Sequence, residues 1–379
     1  MTHATAPAFA AQPLPAWKRA VLKVGSSLLA AEGQGLSPRH ALHLAQFVSS
    51  SVAAGREVVI VSSGAVAAGR GILHRTPAEG MAMAERQALA ALGQAPLIAL
   101  WQRFFERPVA QVLLTHDDLR NRRRYLNARA TLRQLLALGA LPIVNENDTV
   151  SVDELKLGDN DNLAAVVAAL VDADALFIAT DIDGFFSANP RQHVDATPIL
   201  DVETLTPEFF AMAGEAGSGV GTGGMRTKLE AAAKAGAAGI ETLLFNGADA
   251  QTVAALSRGV LHGTRFRAAH NRLAARKYWL RNVPVEAGAI LIDDGAACAV
   301  RERGASLLPG GVMAAEGDFR RGDMVDLRAG SGQVIGRGIS QYSAADIRRL
   351  SRRHSREIEG ILGYSYGENI VHRDDLVVI

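Results

Sequence analysis

Cysteine is nearly absent from this chain: one occurs among 379 residues. A single thiol excludes an intramolecular disulfide and fits a reducing compartment. The apolar neighbours of Cys298 in AACAV predict a buried small hydrophobe rather than a nucleophile. Net charge is almost absent as well, with 40 Lys and Arg against 39 Asp and Glu. The molecule as a whole therefore has no electrostatic reason to seek nucleic acid or an anionic membrane, and any such partner must be sought in local charge. No uncharged apolar run approaches the ~18 residues that a membrane-spanning helix needs. No repeat of fixed period and no long low-complexity tract is evident. The opening MTHATAPAFAAQPLPAW lacks a basic n-region and an adequate apolar h-region. That predicts a frayed tail over residues 1–17 rather than a secretion signal, and a cytoplasmic location.

What the chain does have is apolar residues in quantity, 48% of the total. At this length they suffice for two domains with separate cores. From Arg19 onward, short β-branched runs alternate with longer helical ones: AVLKVG, SPRHALHLAQFVSSSVAAG, EVVIVSS, then a Gly-Ala-rich helical stretch. Further strands are expected at PVAQVLLT, LPIVNEN, ADALFIATD and IETLLFNG, and helices at NARATLRQLLALG, DNLAAVVAALV and MRTKLEAAAKAG. This is the rhythm of an open, mainly parallel sheet sandwiched by helices. Near residues 265–284 the chain turns basic and the rhythm changes, which predicts a linker. Beyond it GAILIDDGAACAV, ASLLPGGVMAAEG and MVDLRAGSGQVIGRGISQY predict short strands and Gly turns in a small β-rich, barrel-like module. Within that module SAADIRRLSRRHSREIEG is expected to be helical, with Arg348, Arg352 and Arg356 four residues apart on one face. A solvated arginine face is the commoner outcome of such a pattern, and binding to a phosphate backbone is the other.

Polar clusters fall just after the expected strands, where ligands bind in open α/β sheets. Lys23 interrupts an apolar strand and is followed by Gly25 and two serines. A charge there is costly unless its head reaches water or a partner, so it is an edge-strand lysine or a functional one. Ser62, Ser63 and Gly64 form a small-residue turn into a helix, suited to presenting hydroxyls and N–H groups to a carboxylate, without the frame of a nucleophile elbow. NENDT contains Asn145 and Asp148, and GDNDN contains Asn160 and Asp161. Each is a turn with a helix cap, yet two such clusters thirteen residues apart exceed what capping needs. SGVGTGGMRTK satisfies neither the dinucleotide fingerprint, which needs a preceding strand, nor the P-loop, where Met225 stands in place of lysine. It is a flexible loop, or a set of backbone donors at a helix N-terminus with Lys228 one turn in.

In this order KVGSS, VSSGAVAAG, NENDT, GDNDN, TDIDG and GTGGMRTK resemble the glutamate 5-kinases of the amino acid kinase family, over about residues 18–262. The remainder resembles the PUA domain through DDGAACAV, GASLLPGGV, FRRGDMV and GRGISQYSAADI. The resemblance implies a tail at 1–17, a catalytic domain at 18–264, a linker at 265–284, a PUA domain at 285–365 and a C-terminal segment at 366–379. It also implies phosphoryl transfer from MgATP to the γ-carboxylate of L-glutamate, feeding proline biosynthesis, with proline as feedback inhibitor and a homodimer or homotetramer.

In that family Lys23, Lys228 and Asp161 would be catalytic, the lysines on the phosphates and the aspartate holding them. Ser63, Gly64, Asn145, Asp148 and Asn160 would bind glutamate. Lys23, Gly25, Thr180, Asp181 and the segment Thr222, Gly223, Gly224, Met225, Arg226, Thr227 and Lys228 would bind ATP, Arg226 through its backbone only. Mg²⁺ would arrive on the ATP phosphates without direct protein ligands. Acetylglutamate kinase, uridylate kinase and aspartokinase share the first-strand lysine and stay open as alternatives, as does RNA binding by the PUA module. Phe186 and Asn189 in GFFSANP depart from the tyrosine and aspartate of the family pattern.

Overall fold

The computed structural model describes residues 8–30, 35–74, 81–151, 160–190, 192–193, 195–213, 224–268 and 288–379. Two compact units divide the chain at Arg272 and Leu273. In the first, strands β1 (Gln12–Pro13), β2 (Arg19–Val24), β3 (Glu57–Ser62), β4 (Val109–Leu114), β5 (Leu141–Glu146) and β6 (Ala175–Thr180) come before the short pair β7 (Phe185–Phe186) and β8 (Pro198–Ile199). β9 (Asp201–Val202), β10 (Glu241–Asn246), β11 (Val260–Leu261) and β12 (Gly263–Phe266) complete it. Interleaved with them are α1 (Ser26–Leu29), α2 (Pro38–Ala53), α3 (Ala65–Ile72), α4 (Met83–Gln102), α5 (His116–Arg120) and α6 (Arg122–Ala137). The last four helices of this unit are α7 (Asn160–Leu170), α8 (Pro207–Met212), α9 (Met225–Ala237) and α10 (Ala250–Ser257).

Eight strands make one sheet in the order β4-β5-β3-β2-β6-β10-β12-β9. β2 pairs in parallel with β3 on one side and β6 on the other. The chain thus winds outward in both directions from β2, and a crevice opens beyond the carboxyl ends of the central strands. Side-chain alternation gives each strand two apolar faces. Leu22, Val24, Ile60 and Phe177 pack under α2, α4 and α10, while Val21, Val59, Val61 and Ile178 pack under α6, α7 and α9. Helix α7 is apolar almost all round because it is enclosed by the sheet below and α9 beside it.

The expected strands and helices of this unit all form, but the boundaries differ. Residues 8–17, expected to fray, are packed: Phe9 and Trp17 are buried, and β1 pairs with β11. At the other end β12 runs to Phe266, past the boundary expected at 264. Its arginines are occupied, Arg265 by Glu241 at 2.7 Å and Arg267 by Asp201 at 2.6 Å, so this part of the basic stretch belongs to the sheet.

The second unit is a five-stranded sheet in the order β14 (Val312–Gly317), β13 (Gly288–Ile292), β15 (Met324–Ala329), β16 (Val334–Ile339) and β17 (Leu376–Val378). Helices α11 (Asp294–Arg303), α12 (Ala344–Leu350) and α13 (Ile358–Leu362) accompany it. Its core holds Ile290, Val325, Leu327, Ile335 and Tyr342. Three expectations are corrected. DDGAACAV is a helix start capped by Asp293, not a strand, and it leaves Cys298 exposed, donating to Glu302. The expected arginine face is not formed, since α12 ends at Leu350 and Arg352 adopts φ +63°. Arg348 donates to the Ala315 and Gly317 carbonyls and Arg352 pairs with Asp293 at 2.7 Å, so these cations close the module on itself. The C-terminal segment is also part of the sheet, because β17 pairs with β16.

Candidate active site

Lys23 stands on the second-last residue of β2, a central strand, and alternation turns it toward the α7 and α9 side with Val21. It is therefore not an edge-strand lysine. Both helices present their N-termini there. Helix α7 already includes Asn160, so Asp161 lies in its first turn, and its carboxylate faces the lysines. Asp161 Oδ1 is 2.6 Å from Lys23 Nζ, and Oδ2 is 3.0 Å from Lys228 Nζ. Lys23 is 5% exposed, Lys228 6% and Asp161 0%. The Thr227 hydroxyl lies 3.1 Å from Asp161 Oδ2 and 2.8 Å from the Gly224 carbonyl.

Burial opposes the charge of Asp161, but the Lys23 and Lys228 ammonium groups outweigh it and hold the carboxyl well below its ordinary value. Among the described residues, two cations against one anion leave this cluster net positive. The N-terminal ends of α7 and α9 add partial positive charge at the same place. Such a centre attracts an anion with several oxygens, and its preformed geometry requires no reorganisation when charge shifts among them. The donor set fits nucleotide phosphates. Gly25 borders the lysine: a Cβ there would stand in ordinary contact, 3.7 Å from Lys23 Nζ.

A second cluster lies beside the first. Asn160 Nδ2 donates to Ser63 Oγ at 2.7 Å and to Asn145 Oδ1 at 2.9 Å, joining the ends of β3 and β5 to the start of α7. The turn out of β3 is possible because Gly64 takes φ +104°, a left-handed conformation that a side chain disfavours. Ser62 is fixed from below by Trp101 Nε1 at 2.9 Å. Asp148 lies in the turn that follows β5. On the opposite side of β2, Thr180 ends β6, and Asp181 accepts from the Thr180 hydroxyl at 3.3 Å and from Ser27 at 3.4 Å.

Lys23, Asp161, Lys228 and Thr227 therefore converge, as do Ser63, Asn145 and Asn160. Thr222 and Gly223 lie outside the described residues. Gly224 precedes α9, the Met225 side chain packs against the core, and Arg226 pairs with Glu230 at 3.3 Å away from the lysines.

Sequence reasoning missed two links. Lys234 Nζ donates to Asn162 Oδ1 at 2.6 Å, tying α9 to α7 one residue beyond Asp161. Asn246 Nδ2 donates to Asp183 Oδ1 at 2.8 Å, tying the end of β10 to the TDIDG loop. Asn162 was visible as the last residue of GDNDN, and Lys234 lies six positions beyond Lys228. Nothing local in the sequence marks Asn246.

The amino acid kinase family model matches residues 18–246, and the PUA domain model matches 288–362. The chain belongs to the amino acid kinase family, as an enzyme with a PUA domain after its kinase domain. Its relatives within the family include glutamate 5-kinases. The one from Xanthomonas axonopodis pv. citri is 75% identical over 95% of this chain and 100% of its own length. The one from Xylella fastidiosa strain M23 is 68% identical over 98% of both. A solved UMP kinase from Bacillus anthracis covers 67% of this chain and 97% of its own, at 19% identity and a TM-score of 0.47.

Proposed function

We propose that the protein transfers the γ-phosphoryl group of MgATP to the γ-carboxylate of L-glutamate, giving L-glutamyl 5-phosphate and ADP. The observation that carries this reading is the buried Asp161 held between two lysines at paired helix N-termini, beside the Ser63–Asn145–Asn160 cluster. The 75% identity to a relative named glutamate 5-kinase selects the acceptor. A carboxylate oxygen attacks the γ-phosphorus as the bond to the β,γ-bridging oxygen breaks, and ADP leaves with that electron pair. Glutamate is ionised at neutral pH, so no proton need be removed from the nucleophile.

Lys23 and Lys228 stabilise charge on the equatorial and leaving oxygens. Asp161 fixes both ammonium groups and, by neutralising one charge, prevents their mutual repulsion from spreading them. Ser63, Gly64, Asn145, Asp148 and Asn160 hold glutamate. Gly25, Thr180, Asp181 and residues 222–228 hold the nucleotide. Mg²⁺ supplies charge neutralisation on the phosphates. The same reading makes the product the first intermediate of proline biosynthesis, with proline as feedback inhibitor and a homodimeric or homotetrameric enzyme.

The test is a substrate panel. ADP release is expected with L-glutamate as acceptor and at least about 100-fold less, at equal concentration, with N-acetylglutamate, aspartate or UMP, a discrimination of the size that polar recognition provides. Preference for any of the other three overturns the assignment of acceptor.

A further inference from the structure

We propose that residues 9–14 form a strap that positions the loop after β6, with Phe9 as its anchor, and thereby set nucleotide affinity. This rests on the reading of Thr180 and Asp181 as nucleotide contacts. The strap lies outside the region matched by the kinase family model, which begins at residue 18. Its composition suggested fraying.

Its contacts are specific. Phe9 is 5% exposed, and its ring meets Phe186 edge-on, centroids 5.1 Å apart at 81°, with Ala196 in the same cluster. The Phe9 carbonyl lies 3.1 Å from His262 Nδ1. Gln12 Nε2 donates to the carbonyls of Leu200 at 3.0 Å and Gly263 at 2.8 Å. Beyond the β1–β11 pairing, the Leu14 amide donates to the Gly259 carbonyl at 2.9 Å. One short segment thus binds β7, the residue after β8, and both β11 and β12.

The hairpin is made to receive it. A Cβ on Gly184 would stand 2.5 Å from Phe9 Cζ and 2.9 Å from Thr264 Oγ1, so the ring occupies space that only glycine leaves. From the other side, Thr264 Oγ1 accepts from the Phe185 amide at 2.8 Å and donates to the Ile199 carbonyl at 2.6 Å. The β7–β8 hairpin is therefore enclosed between the strap and β12. The four residues joining Thr180 to the hairpin, 181–184, are secured by Asn246 at Asp183 and by Phe9 at Gly184. Phe186 supplies the ring against which Phe9 packs. Ser63 follows β3, Asn145 lies in β5 and Asn160 begins α7; β3 and β5 are on the other side of β2 from β6, and among the described residues the hydrogen bonds of these three side chains join them to one another rather than to the strap.

Releasing the strap removes binding that ground state and transition state share on the nucleotide side, which raises KM for ATP without lowering kcat. The experiment uses the full chain and the variants Phe9→Leu, Phe9→Ala and Gly184→Ala. Two readouts serve: equilibrium titration with a fluorescent ATP analogue in the absence of glutamate, and steady-state kinetics with each substrate varied.

The Kd and the KM for ATP are expected to rise about five-fold in Phe9→Ala and in Gly184→Ala, a change of the size an aromatic pair provides. Phe9→Leu is expected to give a smaller rise. The KM for glutamate and kcat stay within about two-fold, as loss of uniform binding requires. If Phe9→Ala does not fold, the rise in Phe9→Leu and Gly184→Ala decides. Unchanged nucleotide Kd in the folded variants, or an equal rise in the KM for glutamate, overturns the proposal. Failure of the functional reading is separately visible, as a wild-type enzyme that binds the nucleotide analogue without turning over glutamate.

Discussion

Lys228→Ala lowers kcat by about 10²–10³-fold, the cost of losing one preorganised donor to a developing anion, and Lys23→Ala does the same. Both variants are expected to stay folded, for a reason in the geometry. Asp161 is shared, with Oδ1 on Lys23 and Oδ2 on Lys228. Removing either lysine leaves the buried carboxylate paired with the other, so no charge is orphaned in the interior, and the large penalty for breaking a buried pair is avoided. On the proposed mechanism turnover has no such redundancy, because the two ammonium groups would stabilise different oxygens of the transferring and leaving groups. Steady-state ADP release together with a thermal melt checks this, and full kcat in either variant removes that lysine from the mechanism.

Asp161→Asn separates holding from binding. The amide matches the carboxylate in size but has no charge, so two ammonium groups face each other without an anion between them. Their repulsion spreads them, and kcat falls by about 10²-fold or more, as for other lost preorganised contacts. The local positive charge rises meanwhile, so ground-state attraction for the nucleotide phosphates persists, and the KM for ATP is expected to stay level or fall. A matching loss of nucleotide affinity would mean that Asp161 binds substrate instead of holding lysines.

Stability changes in a way that pH reveals. The Asp161 carboxyl lies below its ordinary value in the folded protein, so its contribution is complete above the usual carboxylate range of about pH 4. That contribution is lost as the pH falls below that range toward the depressed value. At neutral pH the variant should be less stable by about 3 kcal/mol, the low end for a broken buried pair. The Tm difference between wild type and variant should narrow as the pH falls below about 4. A constant difference across that range contradicts the pairing.

The convergence of Lys23 and Asp161 was legible because the segments that carry them each break a local rule. Lys23 is a charge inside an apolar strand, and GDNDN places more acid and amide groups ahead of an apolar helix than a cap requires. What the sequence did not carry was depth: the central place of β2 follows from pairing with β6, more than 150 residues away, and not from the strand itself.

The strap was missed for the complementary reason. AFAAQPLPAW is compositionally loose, and only the distant Gly184 and Phe186 create a place for Phe9. The arginine face failed through tertiary override. The period of four in SAADIRRLSRRHSREIEG is a valid helical signal, but the Arg352 amide bonds to the Pro309 and Val312 carbonyls, and that contact turns the chain out of the helix. Cys298 was misjudged because its apolar neighbours lie on an amphipathic surface helix, in which Val300 is buried and the thiol faces solvent.

The central claim is that a glutamate carboxylate oxygen takes the phosphoryl group, and trapping the product with hydroxylamine tests it most directly. Incubation of the enzyme with MgATP, L-glutamate and hydroxylamine should yield the γ-hydroxamate of glutamate in step with ADP. Formation should collapse in Lys228→Ala and Asp161→Asn in the same proportion as ADP release. ADP produced without hydroxamate would show that the phosphoryl group goes elsewhere and would contradict the account.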